Sequence, residues 1–329
     1  MAEEQENVVI RAGDCRLTLM PALGGKIASL RVGPHELLQT PLKPYGPRTK
    51  TMAFSDADAS GWDECLPSVA ECTVDTAAGP AKIPDHGDLW RVPWQVLNSS
   101  SDSATMRASC FSLPLQLTRS LILSETKSGW RLELLYTLTN LGAYPVPWSW
   151  AAHPLFAVDP GDRIVLPEDQ VEARVEGSAG ATLGPSGERI PWPKVSRTDG
   201  AISDLSTAQD PNSGIGDKIF MEPFTSNDGS WATLVRPKAG LSLTVSFELA
   251  LTPYLGLWLC YGGWPDEPGL KQVCVALEPT TAPVDSLAIP GSWFRQLDPG
   301  ETFTWPMELL IDRIDTQLPP PVDELKENI

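Results

Sequence analysis

Two of the three histidines in this 329-residue chain stand in segments suited to acid–base chemistry or ligand binding. The first, His86, lies in the segment PDHGDLW (84–90), where a proline and a glycine favour an irregular loop. Loops commonly carry functional side chains, and imidazole titrates near neutral pH. A surface histidine that hydrogen-bonds a neighbouring aspartate is the structural alternative, and this segment alone favours that alternative.

The second histidine, His153, follows the aromatic stretch WSWAA (148–152) and precedes Pro154. This pattern predicts a histidine at the end of a strand, with Trp148 and Trp150 lining its surroundings. Indole faces beside a polar group suit a sugar, because the C–H faces of the sugar pack on aromatic rings while its hydroxyls need donors and acceptors.

A carboxylate completes the set. Glu278 ends the apolar run VCVALE (273–278) and is followed by Pro279, so we expect it at the rim of the core. Partial burial there would favour the protonated form and tune the group towards general-base work. A solvated charge at a strand end is the alternative for this residue taken alone, but its occurrence together with two such histidines favours a functional site.

The elements that must position these side chains are strands, because apolar residues alternate with polar ones with period two along most of the chain. The clearest strand patterns are RLELLYTLTN (131–140), LSLTVSFEL (241–249), LPLQLTRSLIL (113–123), CRLTLM (15–20), KIASLRV (26–32), YLGLWLCYG (254–262) and KQVCVALE (271–278). No segment predicts a long amphipathic helix. Turn-forming residues separate the strands, which predicts an all-β fold, a large antiparallel sandwich or barrel.

Domain organisation follows from the even distribution of prolines and glycines, which leaves no compositional break for a linker. We therefore predict a single domain over residues 1–315. The remaining segment, residues 316–329, is proline-rich and charged and is predicted to be a surface tail.

The charge balance bears on partners. The chain has 42 acidic and 25 basic residues and a formal net charge of −17. Nucleic acids and anionic membranes bind basic surfaces, so we expect neither as a partner. The sequence leaves the oligomeric state open.

The sequence carries no recognisable targeting or metal-binding pattern. The acidic start MAEEQENVVI lacks the basic and apolar regions of a signal peptide, and no run of about 18 apolar residues follows. We therefore expect a cytoplasmic protein. The six cysteines include no CxxC pair or adjacent histidine pattern, so we expect buried thiols and no metal.

An ordered set of short motifs carries a family resemblance. The motifs are GGKIASL (24–30), GWDECLPSV (61–69), IPDHGDLW (83–90), AAHPLF (151–156), GDRIVLP (161–167) and ALEPTTAP (276–283). In this order, over nearly the whole chain, they resemble the aldose 1-epimerase (galactose mutarotase-like) superfamily. The resemblance implies a large antiparallel β-sandwich, the supersandwich, with a sugar bound in a cleft across one sheet.

The resemblance also implies roles for the three titratable residues. Glu278 would be the catalytic base that takes the proton of the anomeric C1 hydroxyl, and His153 the acid that protonates the ring oxygen. His86 would bind and orient the sugar. Ring opening, rotation about C1–C2 and closure then interconvert the anomers, and this reaction needs no metal or organic cofactor.

Further substrate-binding candidates lie in or beside the motifs. They are Asp63, Glu64, Asp88, Trp90, Arg91, Lys218 and Trp258. Turn-capping acids, a surface lysine and a core tryptophan are the structural alternatives for several of them.

Departures from the family pattern keep alternatives open. The cleft loop SGWDECLPS (60–68) lacks the arginine of well-studied galactose mutarotases. Asp88 stands close to the position where hexose-6-phosphate mutarotases carry arginine, which disfavours a phosphate, although Arg91 keeps a phosphosugar possible. The sequence predicts an aldose 1-epimerase acting on a small-molecule sugar. A hexose-phosphate mutarotase, a non-catalytic carbohydrate-binding protein and another sugar enzyme on the same fold are the alternatives.

Overall fold

The computed structural model describes residues 6–221, 229–291 and 293–314. Strands dominate these residues, and the helices among them are single 3₁₀ turns, Pro21–Leu23, Phe54–Asp56, Leu89–Arg91 and Ala179–Ala181. None of these turns has the length or apolar character needed to cross a bilayer. The predicted all-β antiparallel sandwich is confirmed, whereas the predicted tail, 316–329, lies outside the described residues.

The larger of the two main sheets has eleven strands in the described part of the chain, and all of its strand pairs are antiparallel. Ten strands follow in the order Val8–Ala12, Cys15–Met20, Lys26–Val32, Trp62–Cys65, Ala151–Ala157, Val273–Thr280, Tyr254–Tyr261, Ile215–Met221, Glu172–Ser178 and Arg189–Pro191. The short strand His35–Glu36 pairs with Lys26–Val32. The strands that carry His153 and Glu278 are therefore neighbours at the centre of this sheet.

The smaller sheet covers one face of the larger one. Within the described residues it has eight strands, in the order Arg163–Val165, Trp231–Arg236, Leu241–Phe247, Thr302–Arg313, Gly129–Asn140, Leu115–Glu125, Ser103–Ser109 and Gln95–Ser99. Three two-stranded ribbons flank the sheets: Val146–Trp148 with Arg295–Leu297, Lys194–Ser196 with Ile202–Asp204, and Cys72–Thr76 with Gly79–Ile83.

Alternation decides which side chains enter the core between the sheets. Along Leu115–Glu125, every second residue from Leu115 to Leu123 is buried, as the pattern predicts. The same rule divides the strand Val273–Thr280, where Leu277 belongs to the main core while Ala276 and Glu278 face the other side of the larger sheet. The larger sheet thus has one face for the core and one face available for a binding site.

Two of the tryptophans take places that differ from the sequence-based expectation. Trp148 and Trp150 do not line the surroundings of His153 but pack around Trp305 in the core, with ring centroids 5.7 and 5.0 Å from it. Trp150 is an odd number of positions from His153, so its side chain points to the opposite face of the sheet. The prediction that these rings line the histidine site is therefore wrong.

Candidate active site

A cavity of about 250 Å³ lies on the outer face of the larger sheet, below the common range of about 300–1,000 Å³ for ligand sites. This volume suits one small molecule rather than a polymer. Strand residues and loop residues line it together: Phe54, Val69, Ala70, Asp85, His86, His153, Lys218, Trp258, Trp264, Gln272, Glu278 and Asp285. Five of the ten predicted site residues, His86, His153, Lys218, Trp258 and Glu278, meet here.

Strand register brings His153 and Glu278 side by side. The pairs Ala151–Thr280 and Leu155–Ala276 place the two residues opposite each other on adjacent strands. Neither residue ends its strand, because the ladders continue in register through Pro154 and Pro279. Glu278 is also buried, with 1% of its side chain exposed, so the expectation of a charge at the rim of the core is wrong.

The Glu278 carboxylate has one occupied and one open oxygen. Its Oε2 accepts a short hydrogen bond from Lys218 Nζ. Its Oε1 lies 3.9 Å from His153 Nε2, and among the described residues no group hydrogen-bonds to it. A buried carboxylate oxygen without a partner is costly, so this atom is available to a hydroxyl donor that enters the cavity.

Electrostatics around this carboxylate centre on Lys218. Burial opposes the charge of Lys218, but the carboxylates of Glu278 and Asp285 outweigh it and raise the pKa of the ammonium group to about 12. Asp285 Oδ1 lies 3.8 Å from Lys218 Nζ. Burial, with the charges of Glu278 and Glu176, raises the pKa of Asp285 to about 6 even though Lys218 acts in the opposite direction.

His153 is held in its neutral form. Burial first, and then the positive charges of His86, Lys218 and Lys26, lower the pKa of His153 well below its usual value. Its Nδ1 is buried and has no hydrogen-bond partner in the described part of the chain. The Nε2 atom is the one near Glu278, so the ring can present a polar edge to a ligand between the two residues.

His86 contacts His153 edge to face, with ring centroids 5.2 Å apart and an interplanar angle of 79°. Its ring stacks on Phe54 at a centroid distance of 3.9 Å and an interplanar angle of 4°. Its Nδ1 lies 2.9 Å from Asp85 Oδ2. Burial alone would raise the pKa of Asp85, but the contact with His86 outweighs it and lowers that pKa.

The backbone that presents His86 is tightly constrained. His86 itself has a φ of +59° and Gly87 a φ of +66°, in the left-handed region that L side chains rarely adopt. A Cβ atom on Gly87 would lie 2.2 Å from the carbonyl oxygen of Leu66. Glycine is therefore required at this position for the loop to pass so close to a neighbouring backbone.

Three predicted substrate-binding residues support this loop and do not line the cavity. The Asp88 carboxylate accepts hydrogen bonds from the amides of Phe111 and Ser112 at 2.9 and 2.8 Å. The Arg91 guanidinium donates to the carbonyl of Asp85 at 2.6 Å and also to that of Gly87. Trp90 is fully buried and packs between Arg91 and the edge of Phe54.

Asp63 and Glu64 also lie outside the cavity lining. Asp63 forms a buried ion pair with Lys26 at 2.5 Å. Glu64 faces the core, where it pairs with Arg119 at 2.9 Å and accepts a hydrogen bond from Trp150 Nε1 at 2.9 Å. Because consecutive strand residues point to opposite faces, one acid lies on the cavity side of the sheet and the other in the core.

Sequence reasoning did not single out several lining residues as site residues: Phe54, Asp85, Trp264, Gln272 and Asp285. Asp85 could have been found from its position next to His86. Asp285 lies in a loop whose only sequence signal is its nearness to Glu278. Among the residues that the structure describes, no cluster of histidine, cysteine and acidic side chains could hold a metal ion.

Comparison with known proteins identifies a family for this chain. The sequence profile of the aldose 1-epimerase family matches residues 72–310. A protein from Synechocystis sp. is 18% identical, with a TM-score of 0.69 over 94% of this chain and 96% of that chain. A galactose mutarotase-like protein from Clostridium acetobutylicum is 14% identical, with a TM-score of 0.63 over 94% and 95%.

An aldose epimerase homologue from C. elegans is also 14% identical, with a TM-score of 0.63 over 94% of this chain and 99% of that chain. At these identities the likeness concerns the fold. No protein of curated function matches the sequence significantly. The family profile covers most of the chain and includes both His86 and the His153–Glu278 pair, and the chain belongs to the aldose 1-epimerase family.

Proposed function

We propose that this protein is a mutarotase that interconverts the α and β anomers of a neutral aldose. The observation that carries the proposal is the open Oε1 atom of the buried Glu278, beside His153 in a cavity of monosaccharide scale. Membership of the aldose 1-epimerase family supports the reaction class.

The proposed reaction uses Glu278 as base and His153 as acid. Glu278 Oε1 takes the proton of the C1 hydroxyl while His153 delivers a proton to the ring oxygen, and the C1–O5 bond breaks to give the open-chain aldehyde. Rotation about C1–C2 followed by the reverse proton transfers closes the ring on its other face. Burial makes the protonated form of His153 the minor one at neutral pH, but that form is a strong donor, which suits a weakly basic ring oxygen.

The proposed substrate is neutral because the cavity carries more negative than positive charge. The carboxylates of Asp85, Glu278 and Asp285 line it, and Lys218 is the only lysine or arginine among its described lining residues. A phosphate group would be repelled by this excess of carboxylate. Arg91 lies outside the cavity lining and its guanidinium donates to backbone carbonyls, so it offers no direct contact to a phosphate.

Aromatic side chains supply the sugar-binding surface in this proposal. Trp258 and Trp264 line the cavity beside Phe54. Aromatic faces pack against the C–H groups of a pyranose, and polar atoms at their edges take its hydroxyls. Gln272 accepts the indole hydrogen bond of Trp258 at 3.1 Å and so fixes one of these rings.

The direct test is one-dimensional proton NMR of freshly dissolved α-D-glucose and α-D-galactose. We expect the protein to accelerate the appearance of the β-anomer signals, and D-glucose 6-phosphate to be a poorer substrate. Acceleration of the phosphosugar alone would favour the hexose-phosphate alternative. Saturable sugar binding by calorimetry without any acceleration would identify a carbohydrate-binding protein instead.

A further inference from the structure

Lys218 contacts the base rather than standing free in the cavity. Its Nζ donates a short hydrogen bond to Glu278 Oε2 and lies 3.8 Å from Asp285 Oδ1. The side chain is mostly buried, with 10% exposed, and its Nζ lies 5.3 Å from the centroid of the Phe220 ring. The ammonium group therefore already has carboxylate partners before any sugar enters.

A glycine on the strand between Lys218 and Glu278 permits this contact. Lys218 and Glu278 lie on strands separated by Tyr254–Tyr261, and the residue opposite Glu278 on that intervening strand is Gly256. A Cβ atom at Gly256 would lie 3.2 Å from Lys218 Nζ and 3.5 Å from Glu278 Cβ. The absence of a side chain at this position lets the lysine reach across one strand to the carboxylate.

The charge of Lys218 meets a specific need of the site. A buried carboxylate is driven towards its neutral form, and a neutral Glu278 could not accept a proton. The titratable groups facing Glu278 from the packed elements are Lys218, His153, Asp285, Cys65 and Cys274, with His86 in contact with His153. Burial keeps His153 and both thiols uncharged, so Lys218 is the cation in direct contact with the base.

We propose that Lys218 is a positioning residue for the base, which keeps Glu278 ionised, fixes Oε2 and leaves Oε1 as the proton acceptor. The inference rests on the proposed mutarotase function. It also revises the sequence-based interpretation of Lys218 as a direct sugar ligand. A sugar ligand acts mainly through KM, whereas a residue that holds the base acts through kcat and its pH dependence.

The test compares Lys218→Met, Lys218→Arg and the control Lys238→Met. Methionine keeps the length and apolar character of the stem but lacks the charge, and arginine keeps the charge. Lys238 is a suitable control because its exposed side chain pairs with Asp159 at 3.8 Å, away from the cavity lining. Anomer exchange by NMR from about pH 4 to 9 gives kcat and KM, and thermal unfolding checks that each variant folds.

For Lys218→Met we expect about a 100-fold loss of kcat at pH 7 with KM changed less than about threefold. We also expect the acidic limb of kcat/KM to move up by about 1–3 pH units, the effect of one close opposite charge. Lys218→Arg should keep the limb near its wild-type position, and Lys238→Met should match the wild type. A Lys218→Met profile with an unmoved limb, or a loss confined to KM, would overturn the proposal.

A second readout separates this inference from the proposed function. ¹³C NMR of the side-chain carboxyls, with the Glu278 signal assigned from its loss in Glu278→Gln, follows ionisation without substrate. We expect the Glu278 carboxyl to titrate at higher pH in Lys218→Met than in the wild type. Inactivity of the wild type on all aldoses would overturn both the proposed function and the catalytic role given to Lys218. The titration would then show whether Lys218 still stabilises the ionised form of Glu278. An unchanged titration in an active enzyme would overturn only the inference about Lys218.

Discussion

Replacing Gly87 with alanine tests whether the loop that presents His86 depends on glycine for the reason that the structure gives. Two costs combine at this position. The left-handed φ of +66° costs a non-glycine residue roughly 1–2 kcal/mol. The new Cβ atom would also lie 2.2 Å from the carbonyl oxygen of Leu66, a backbone atom that cannot rotate away.

Gly300→Ala is the matched control, because Gly300 has a φ of +75° and no atom within 4 Å of an added Cβ. It carries the first cost alone. Adding about 1–3 kcal/mol for overpacking and displacement of the Leu66 backbone brings Gly87→Ala to about 2–5 kcal/mol. For 329 residues the unfolding entropy is about 0.7 kcal/mol per degree, so Tm should fall by about 3–7 °C in Gly87→Ala and about 1–3 °C in Gly300→Ala.

The two variants should also differ in sugar binding. Displacement of the loop moves His86 relative to Phe54 and His153, so we expect about tenfold weaker binding in Gly87→Ala and wild-type binding in Gly300→Ala. Differential scanning calorimetry and anomer-exchange kinetics measure the two effects. The reasoning would be refuted if Gly87→Ala were no less stable than Gly300→Ala and bound sugar with wild-type affinity.

Two further predictions concern the histidines. His86→Ala should weaken sugar binding about tenfold while the protein still folds, because it removes a polar edge and the ring stacked on Phe54; isothermal titration with unchanged affinity would contradict this. His153→Gln should reduce the loss of stability between pH 7 and pH 5. The unfolded chain protonates a histidine below about pH 6.5 while burial lowers the folded pKa of His153, so stability present above that pH is lost as the pH falls. Asp285 has a raised folded pKa and therefore the opposite pH dependence, but its contribution is the same in the wild type and in His153→Gln. Urea midpoints that change in parallel with pH in the two proteins would contradict the lowered pKa of His153.

Local sequence patterns were enough to predict seven of the strands that the structure contains. Buried and more exposed residues alternate from Leu115 to Leu123 and from Trp130 to Asn140, and each strand places a mostly apolar set in the core. The polar pattern also selected His86, His153 and Glu278, which the structure brings to one cavity. These predictions depended on periodicity and on residue type, both of which are local properties.

Long-range pairing was not available from local pattern. Pro154 and Pro279 indicated strand ends, but the pairs Pro154–Trp62 and Pro279–Leu255 keep their register and the strands continue. The contact of Lys218 with Glu278 depends on which strand lies between them and on Gly256 within it. Such contacts follow from sheet order, which nothing near Lys218 in the sequence specifies.

The same limit explains why some motif residues support the site without lining it. Asp88 and Arg91 stand beside His86 in sequence, and sequence proximity suggested direct contact with a sugar. In the structure their side chains turn back and bind backbone amides and carbonyls of the surrounding loops. Asp88 and Arg91 therefore hold the backbone of the loop that presents His86.

The rate of anomer exchange in Glu278→Gln tests the central claim most directly. The amide keeps the shape of the side chain and can still accept the Lys218 hydrogen bond, but it cannot take a proton. Two-dimensional exchange NMR of a sugar at anomeric equilibrium measures the rate without a mixing step. We predict that the variant binds the sugar with an affinity close to wild type and exchanges its anomers about 10³-fold more slowly than the wild-type enzyme. Exchange at the wild-type rate would contradict the assignment of Glu278 as the base.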